Sequence, residues 1–302
     1  MDTIVGLKVD IDTYEGGFFG IPNLINLFKK LNVKASFFGV MGPDNSGRAA
    51  FRVFTQKGFL KKMLRTKAPK IYGIKTMLYG VLLPGPSMPK VLRDKYKMIV
   101  DFGFEFGVHG YDHIAWHNNL CKWDKQRIKS EYEKIFEAYY NLMNFLPSSV
   151  ATPGWQESCK HIEVVDSFEH IKYRSDTRFS QPFFASCNGK ISPKLEIPTT
   201  FHSLDELLGR KKNEDEILSC LLNEVKKGEV NVFTLHTELE GRFYLEFLKK
   251  FIISLKERFD AKFLTLGEIS EKFSKTNEIR NIYMGTVDGR AGQVALSERF
   301  EK

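Results

Sequence analysis

The chain has 302 residues, of which 42% are hydrophobic and 13% aromatic, and its 45 Lys and Arg residues exceed its 37 Asp and Glu residues, giving a formal net charge of +8. This length allows one large or two small domains with ample core, and the composition excludes a disordered, collagen-like or coiled-coil protein. No stretch of about 18 residues is apolar and charge-free enough to predict a membrane-spanning helix.

Short apolar runs alternate with segments of helical periodicity along most of the chain. The runs predict strands at residues 4–9, 35–40, 104–108, near 150, and at 171–174, 230–235 and 262–265. Helices are predicted over about 21–31, 90–100, 124–145, 214–227 and 242–256, and Asn213 with Glu216 suits a capping box. Repeated β-α units favour a mainly parallel sheet with helices outside it, either doubly wound or closed as a barrel. We expect one domain over residues 1–302, in which residues from about 280 to 302 form a peripheral tail.

The cysteines and the start of the chain bear on location. The cysteines are too far apart for a CxxC pair or a dense disulfide framework, and they fit a reducing compartment: Cys121, Cys159, Cys187 and Cys220. A strand-like run begins at Ile4, which leaves no room for a secretory leader. The expected location is therefore the cytoplasm.

One segment accounts for the whole positive balance. No acidic residue lies between Asp44 and Asp94, a stretch that holds eleven cations, so the rest of the chain has a net charge of −3. Within it, residues 57–83 interleave cations with apolar side chains, which predicts a basic amphipathic insertion lying on an anionic membrane surface. A folded helix with a solvated basic face is the alternative, and nucleic acid is not predicted because no nucleic-acid-binding motif is present. The predicted membrane contacts are Lys61, Lys62, Arg65, Leu78 and Leu82.

Two aspartates follow the first predicted strand. Asp10 and Asp12 are two residues apart, so on a strand they point to the same face, at the end where parallel α/β proteins place their active sites. Two crowded carboxylates repel each other unless a cation neutralises them. The pair therefore indicates catalysis or metal binding, and the alternative is a pair that caps the loop before Thr13.

A histidine cluster follows the predicted strand at residues 104–108. His109, His113 and His117 recur every four residues, which on a helical turn places them on one side and suits a divalent metal. His117, the last of them, has a surface position as its alternative. Asp112 either orients one of the imidazoles or caps a helix.

Two further strand ends carry candidate groups. His236 closes the apolar strand at 230–235 and is either a core histidine or a catalytic acid. In the loop "ATPGWQ", Gly154 brings backbone N–H groups close to a ligand, as an oxyanion hole requires, and Trp155 suits the wall of a sugar site. A simple turn is the alternative interpretation of this loop.

These motifs, in this order, resemble the polysaccharide deacetylase family, the metal-dependent carbohydrate N-deacetylases that contain the NodB homology domain. The resemblance covers about residues 4 to 270 and rests on "VDIDT", "HGYDH", the Thr152–Trp155 loop, "SDTR" and "HTELEG". It implies an α/β fold, a distorted (β/α) barrel. Within the family the chain is similar to ArnD-type enzymes, which deformylate an arabinose derivative carried on undecaprenyl phosphate, and to a related deacetylase of undecaprenyl-phosphate-linked N-acetylgalactosamine.

The resemblance implies hydrolysis of an N-formyl or N-acetyl group from an amino sugar linked to undecaprenyl phosphate, in lipid A or lipopolysaccharide modification. One divalent metal, zinc with cobalt or manganese as alternatives, would be held by Asp12, His109 and His113. Asp10 would act as base and His236 as acid, and Thr152, Gly154 and Trp155 would form the oxyanion and substrate loop. The enzyme would work in the cytoplasm, peripherally on the anionic surface of the inner membrane.

The sequence departs from the family pattern in two places. Ile11 separates the two aspartates, which the family has side by side, so which of Asp10 and Asp12 is base and which is ligand stays open. The family's loop arginine, which pairs with the base, is absent from "ATPGW", and Arg174 or Arg178 is expected to replace it; Asp176 and Arg178 are assigned to the second shell or to substrate. Two alternatives remain, a soluble family deacetylase or amidohydrolase of a free or polymeric substrate, and an inactive carbohydrate- or lipid-binding scaffold.

Overall fold

The computed structural model describes residues 2–51 and 73–299. The predicted membrane contacts Lys61, Lys62 and Arg65, and most of the basic insertion, lie outside these ranges. Among the described residues no helix is both long enough and apolar enough to cross a bilayer.

Helices and strands alternate through the first half of the chain as the sequence predicts. The strands are β1 (Ile4–Ile11), β2 (Ser36–Gly39), β3 (Glu105–Val108), β4 (Ser149–Val150), β5 (Tyr173–Arg174), β6 (Phe183–Cys187), β7 (Lys190–Glu196), β8 (Val230–His236), β9 (Lys262–Leu264), β10 (Ile279–Thr286) and β11 (Gln293–Arg299). The helices are α1 (Tyr14–Leu31), α2 (Ile74–Leu78), α3 (Met88–Val91), α4 (Arg93–Asp101), α5 (His113–Asn119), α6 (Lys125–Met143), α7 (Cys159–Asp166), α8 (Leu204–Leu207), α9 (Glu214–Glu224), α10 (Leu245–Phe259) and α11 (Leu266–Phe273). Short 3₁₀ turns cover Ser46–Phe51, Leu120–Lys122 and Pro153–Trp155.

β1 is an interior strand of the sheet, and all eight of its residues are buried. It pairs in parallel with β8 on one side and with β2 and β9 on the other. The sheet continues from β2 through β3, β4, β5 and β7 in parallel pairing. A strand with neighbours on both sides and helices on the outer face reads as a nearly continuous apolar run, which is why the sequence predicted it.

The α/β class and the distorted (β/α) barrel are confirmed. Among the described residues, however, strand pairing does not run continuously around the barrel. The strand order is β11-β10-β6-β7-β5-β4-β3-β2-β1-β8, so β7 and β8 are not ladder neighbours. The segment after β7 reaches β8 instead: Thr200 N–H donates to the Val232 carbonyl at 2.9 Å, and Val232 N–H donates to Thr200 Oγ1 at 2.8 Å. These bonds join the segment after β7 to β8, the strand at one end of the sheet.

The C-terminal stretch differs from the predicted peripheral tail, because its residues up to 299 extend the sheet. β10 pairs in parallel with β6, and β11 runs antiparallel to β10. The turn between them packs inward, where Val287 and Val294 form an apolar cluster with Trp155. The strands were missed because most side chains of β10 are half-buried, which leaves no alternation to detect.

The cysteines also differ from expectation. Cys159, the first residue of α7, and Cys187, the last of β6, form a disulfide with their Cα atoms 5.4 Å apart. Cys121 and Cys220 remain free. The pairing depends on packing between two elements that are distant in sequence, so spacing alone could not predict it.

Candidate functional site

The carboxyl end of β1 presents polar side chains to one face of the sheet. Lys8, Asp10 and Asp12 are spaced by two residues, and Asp10 lies opposite His236 in the β1–β8 register. Lys8 and Asp10 are buried, and Asp12 is half-buried. The site is therefore built on the most buried strand of the sheet, next to the end of β8.

The predicted metal ligands meet at this point. Asp12 Oδ1 lies 3.3 Å from His109 Nε2, and Asp12 Oδ2 lies 3.5 Å from His113 Nε2. One ligand atom from each of the three residues lies within 4.8 Å of the others. His109 follows β3, whereas His113 is the first residue of α5, so the two rings reach one point from different elements.

Neighbouring groups fix the ring of His109 and the start of α5, which carries His113. His109 Nδ1 bonds the Ala151 carbonyl at 2.8 Å, which turns Nε2 toward Asp12. Asp112 caps α5 by accepting a hydrogen bond from Ala115 N–H at 2.9 Å, the capping role of its two alternatives. The third histidine, His117, is buried rather than at the surface.

The residues present fit a divalent metal. One carboxylate and two imidazoles are the donors of catalytic zinc sites, and cobalt and manganese accept the same set. Within the described part of the chain, the buried Oδ1 atoms of Asp10 and Asp12 accept no hydrogen bond. Burial raises the pKa of Asp12, but His113 and His109 outweigh it, and the pKa lies far below its usual range. Burial lowers the pKa of His109, and Asp10 and Asp12 more than reverse this. A bound metal ion would supply the positive charge that compensates the carboxylates of Asp10 and Asp12.

Lys8, rather than an arginine, is the cation beside Asp10. Its Nζ lies 3.6 Å from Asp10 Oδ2 and donates to the Ser175 carbonyl at 3.0 Å. The expected arginines point elsewhere: Arg174 Nη1 donates to Asp166 at 3.2 Å, and Arg178 binds both carboxylate oxygens of Glu206 at 2.8 and 3.0 Å. The signal for Lys8 was present in the sequence, since it lies two residues before Asp10 on the same strand face.

Two acids after β8 support the site and were not singled out from the sequence. Glu238 Oε1 accepts hydrogen bonds from Asp12 N–H at 3.1 Å and from the backbone and hydroxyl of Thr13 at 2.7 and 2.8 Å. A side chain at Gly16 would overlap the Glu238 carboxylate, so the start of α1 closes tightly over this acid. Glu240 Oε2 accepts the backbone N–H of His236 at 2.8 Å. These bonds fix the backbone of Asp12 and His236.

His236 lies at the site as predicted. Its ring centroid is 6.5 Å from that of Trp155. Burial lowers the pKa of His236, but the surrounding carboxylates of Asp12, Asp205 and Glu240 outweigh it and raise the pKa. The residue therefore carries a proton more readily than a free histidine.

The Thr152–Trp155 loop lies beside these groups, but its backbone N–H groups differ in whether they already have a hydrogen-bond acceptor. Thr152 N–H already donates to Asp176 Oδ1 at 2.6 Å, and Trp155 N–H donates to the Thr152 carbonyl at 3.3 Å. Gly154 has a φ of +67°, and a side chain there would overlap the buried ring of His117. Of the predicted oxyanion donors, Gly154 N–H is the one without such an internal acceptor among the described residues.

Trp155 is held on several sides rather than standing free. Its Nε1 donates to Thr199 Oγ1 at 3.0 Å. The guanidinium carbons of Arg178 and Arg290 lie 4.5 and 4.4 Å from its ring centroid. Arg290 comes from the β10–β11 turn, which the sequence did not connect with the site.

Asp176 belongs to a closed polar cluster behind the loop. Glu157, His161 and Asp176 are buried and have potential ligand atoms within 4.8 Å of one another. Both nitrogens of His161 are engaged, Nδ1 with Glu157 Oε1 at 2.5 Å and Nε2 with the Tyr132 hydroxyl at 2.6 Å. The cluster is therefore a hydrogen-bonded support for the loop.

The described end of the basic insertion is partly exposed. Leu78 is half-buried, whereas Leu82 and Ile74 are each 76% exposed. Gly73 lies against the Glu15 carboxylate, which places α2 beside the start of α1.

Known proteins are similar to this chain in sequence and in fold. The profile of the polysaccharide deacetylase family matches residues 12–170. A protein from Shewanella sediminis (strain HAW-EB3), named as a probable 4-deoxy-4-formamido-L-arabinose-phosphoundecaprenol deformylase ArnD, is 32% identical over 294 residues, covering 96% of this chain and 93% of the relative.

Solved structures extend the comparison to the fold. A probable polysaccharide deacetylase from Pseudomonas aeruginosa PAO1 matches with a TM-score of 0.57 and 16% identity, covering 90% of this chain and 92% of its own. A family 4 acetyl xylan esterase from Clostridium thermocellum, in complex with a cobalt ion, matches with a TM-score of 0.50 and 14% identity, covering 89% and 91%. At these identities the structures establish the common fold.

Proposed function

The chain belongs to the polysaccharide deacetylase family of hydrolases, and we propose that it removes the N-formyl group from an amino sugar, a 4-deoxy-4-formamido-arabinose, linked to undecaprenyl phosphate. The carrying observation is the meeting of Asp12, His109 and His113 next to Asp10 and His236 at the end of β1 and β8. The substrate comes from the named relative, which matches nearly the whole chain.

Asp12, His109 and His113 would hold one divalent metal ion, with zinc, cobalt and manganese all compatible with these donors. When bound, such an ion supplies Lewis acidity, which lowers the pKa of a water ligand and polarises an amide carbonyl. Glu238 and the Ala151 carbonyl keep the ligands in place through Asp12 N–H and His109 Nδ1. We therefore assign Asp12 as ligand and Asp10 as base.

Proton transfer is assigned to the two remaining groups. Asp10 takes a proton from the attacking water, and its ion pair with Lys8 holds the carboxylate beside the metal ligands. Gly154 N–H donates to the oxyanion that forms from the carbonyl oxygen. His236, whose pKa is raised by nearby carboxylates, gives a proton to the departing amine, so that formate and the free amino sugar are released.

The protein has an exposed aromatic surface beside the site that suits membrane binding, which a lipid-linked substrate requires. Phe18 and Phe19 on α1 are exposed, and cations lie over their rings, Lys95 at 5.4 Å and Arg242 at 5.2 Å. Aromatic side chains flanked by cations suit the headgroup region of an anionic bilayer. Because α1 begins two residues after Asp12, docking this face would bring the site to the membrane. We place the enzyme on the cytoplasmic side of the inner membrane, a reducing compartment in which the Cys159–Cys187 disulfide would be reduced to two thiols.

Purified, metal-loaded protein should be assayed with synthetic polyprenyl-phosphate-linked formamido- and acetamido-arabinose, and with the free formamido sugar. The expected result is release of amine and formate from the lipid-linked formamide, abolished in an Asp10→Asn control. Equal turnover of the free sugar would favour the soluble deacylase, and faster release of acetate would assign the chain as a deacetylase. Folded, metal-bound protein that hydrolyses none of the three would support the inactive binding scaffold.

A further inference from the structure

Two carboxylates compete for the same position in this site. Asp12 Oδ1 lies 3.3 Å from His109 Nε2, and Asp10 Oδ2 lies 3.9 Å from the same nitrogen. Asp10 lies on β1 and Asp12 directly follows the strand, and both have a buried Oδ1 that accepts no hydrogen bond from a described residue. Distance alone would allow either acid, or both, to bind a cation held by His109.

Lys8 is what distinguishes them. Its Nζ lies 3.6 Å from Asp10 Oδ2, and the structure pairs no lysine or arginine among the described residues with Asp12. The ammonium is fully buried, held by the Ser175 carbonyl at 3.0 Å, with the ring centroids of Phe38 and Trp155 at 5.8 and 5.4 Å. A buried charge with one fixed partner cannot leave without a large desolvation and strain cost.

We propose that Lys8 is a positioning residue that keeps Asp10 out of the metal's ligand set and thereby reserves it as the base. This rests on the proposed function, in which the metal needs an open position for water. A second carboxylate ligand would occupy that position and neutralise the cation, reducing its Lewis acidity. Lys8 gives the Asp10 carboxylate a positively charged partner, which competes with the positively charged metal for it.

Removal of the Lys8 charge should move metal affinity and turnover in opposite directions. In Lys8→Gln, the amide can still donate to the Ser175 carbonyl but carries no charge, so Asp10 becomes free to bind the metal. We expect Co²⁺ to bind apo-protein about tenfold more tightly, since one opposing charge is lost and one ligand gained. Turnover should fall about 100-fold because the base is removed.

If Lys8 had only a structural role, Lys8→Gln would instead lower both Co²⁺ affinity and turnover. Lys194→Met is the matched control, because Lys194 is also buried and donates to backbone carbonyls, those of Phe168 and Ile171 at 2.7 and 2.6 Å, away from the site. It should change neither Co²⁺ affinity nor turnover per folded molecule. Lys8→Arg, which keeps the charge, should restore wild-type affinity and most of the turnover.

The double variant Lys8→Gln/Asp10→Asn tests whether Asp10 is the group that moves. The gain in Co²⁺ affinity caused by Lys8→Gln should vanish in the Asp10→Asn background, and the visible spectrum of the Co²⁺ protein should change between wild type and Lys8→Gln only when Asp10 is present. An affinity gain that persists without Asp10, or weaker Co²⁺ binding in Lys8→Gln, overturns the proposal. Circular dichroism confirms folding of each variant, and Lys8→Met provides a second neutral substitution if the glutamine variant unfolds.

The metal titration separates this proposal from the proposed function. Wild-type protein that binds Co²⁺ but does not hydrolyse the lipid-linked formamide would refute the function while leaving the comparison of affinities valid. Active wild-type protein whose Lys8→Gln variant loses both activity and metal would refute the role of Lys8 alone.

Discussion

The buried acids behind the Thr152–Trp155 loop make the protein sensitive to alkaline pH. Burial raises the pKa of Glu157 from 4.5 to about 8, against the lowering effect of Arg174. Burial likewise raises the pKa values of Asp176 and Glu196 to about 7 and lowers that of His161 to about 4. Four ionisable groups thus surround Glu157, and among them Arg174 favours its charged form most strongly.

The sign of the effect follows from the raised pKa. The folded protein holds a proton on Glu157 that the unfolded chain loses near pH 4.5. The stabilising contribution is complete below that pH and is lost as the pH rises toward 8. Each pH unit in this window costs about 1.4 kcal/mol of unfolding free energy per proton. Between pH 6 and pH 8, where Glu157 is half-deprotonated at the upper end, the loss is about 2 kcal/mol, or about 3 °C in melting temperature for a chain of this size.

Glu157→Gln tests this reasoning, since its amide oxygen can still accept from His161 Nδ1 and Ser158 N–H, as Glu157 Oε1 does. Urea unfolding at pH 6 and pH 8 should show a smaller decrease in stability for Glu157→Gln than for wild type. Glu163→Gln is the control, because Glu163 lies on α7, which begins two residues after Glu157, but pairs with Lys125 at the surface, and its variant should keep the wild-type slope. Identical slopes for wild type and Glu157→Gln would refute the reasoning.

Metal removal and substitutions at the site and on the exposed aromatic face test the remaining proposals. Chelator-treated protein should be inactive and regain activity with zinc, cobalt or manganese, and full activity of metal-free protein would contradict the assignment. Asp10→Asn and His236→Ala should each lower kcat by about 10²–10⁴-fold with metal content unchanged by mass spectrometry; loss of the metal in Asp10→Asn would exchange the roles of the two aspartates. Gly154→Ala should lower stability in urea by more than about 1 kcal/mol, because its φ is +67° and the added methyl would overlap a buried ring, so an unchanged midpoint would refute the packing argument. The double variant Phe18→Ser/Phe19→Ser should weaken flotation with both anionic and neutral vesicles. Exchanging the cations of the basic insertion for Gln should weaken flotation with anionic vesicles alone. If neither set of substitutions changes vesicle binding, the membrane proposal has no support.

The fold was predictable where burial leaves a regular pattern. β1 and β8 are buried along almost their whole length and read as apolar runs, although β1 extends to Ile11, two residues past its predicted end. The hairpin of β6 and β7 was missed despite a turn signal, Asn188–Gly189, whose residues have φ values of 52° and 76°. Its strands lie between a buried and an exposed face without regular alternation, so periodicity gave no support to the turn.

The site was predictable where its residues are neighbours in sequence. Asp10 lies on β1 and Asp12 directly follows it, and His109 and His113 are four residues apart, so their convergence could be expected from local geometry. Glu238 acts on Asp12 across a separation of 226 residues, and such a contact exists only once β8 has paired with β1. Arg290 reaches Trp155 through a hairpin whose strands carry no periodic signal. Supporting residues of this kind depend on the tertiary fold and leave no local trace.

The position of Lys8 changes how the base depends on the rest of the site. In the family pattern that the sequence resembles, the cation beside the base comes from the loop corresponding to Thr152–Trp155, so movement of that loop would disturb both the oxyanion donor and the base. Here Lys8 and Asp10, the proposed base, lie on one strand that is paired on both sides. Lys8 is also held by the carbonyl of Ser175, which follows β5 and not the loop itself. Changes in the loop should therefore act on the oxyanion donor and the substrate wall, while the Lys8–Asp10 pair keeps its geometry as long as β1 stays in the sheet.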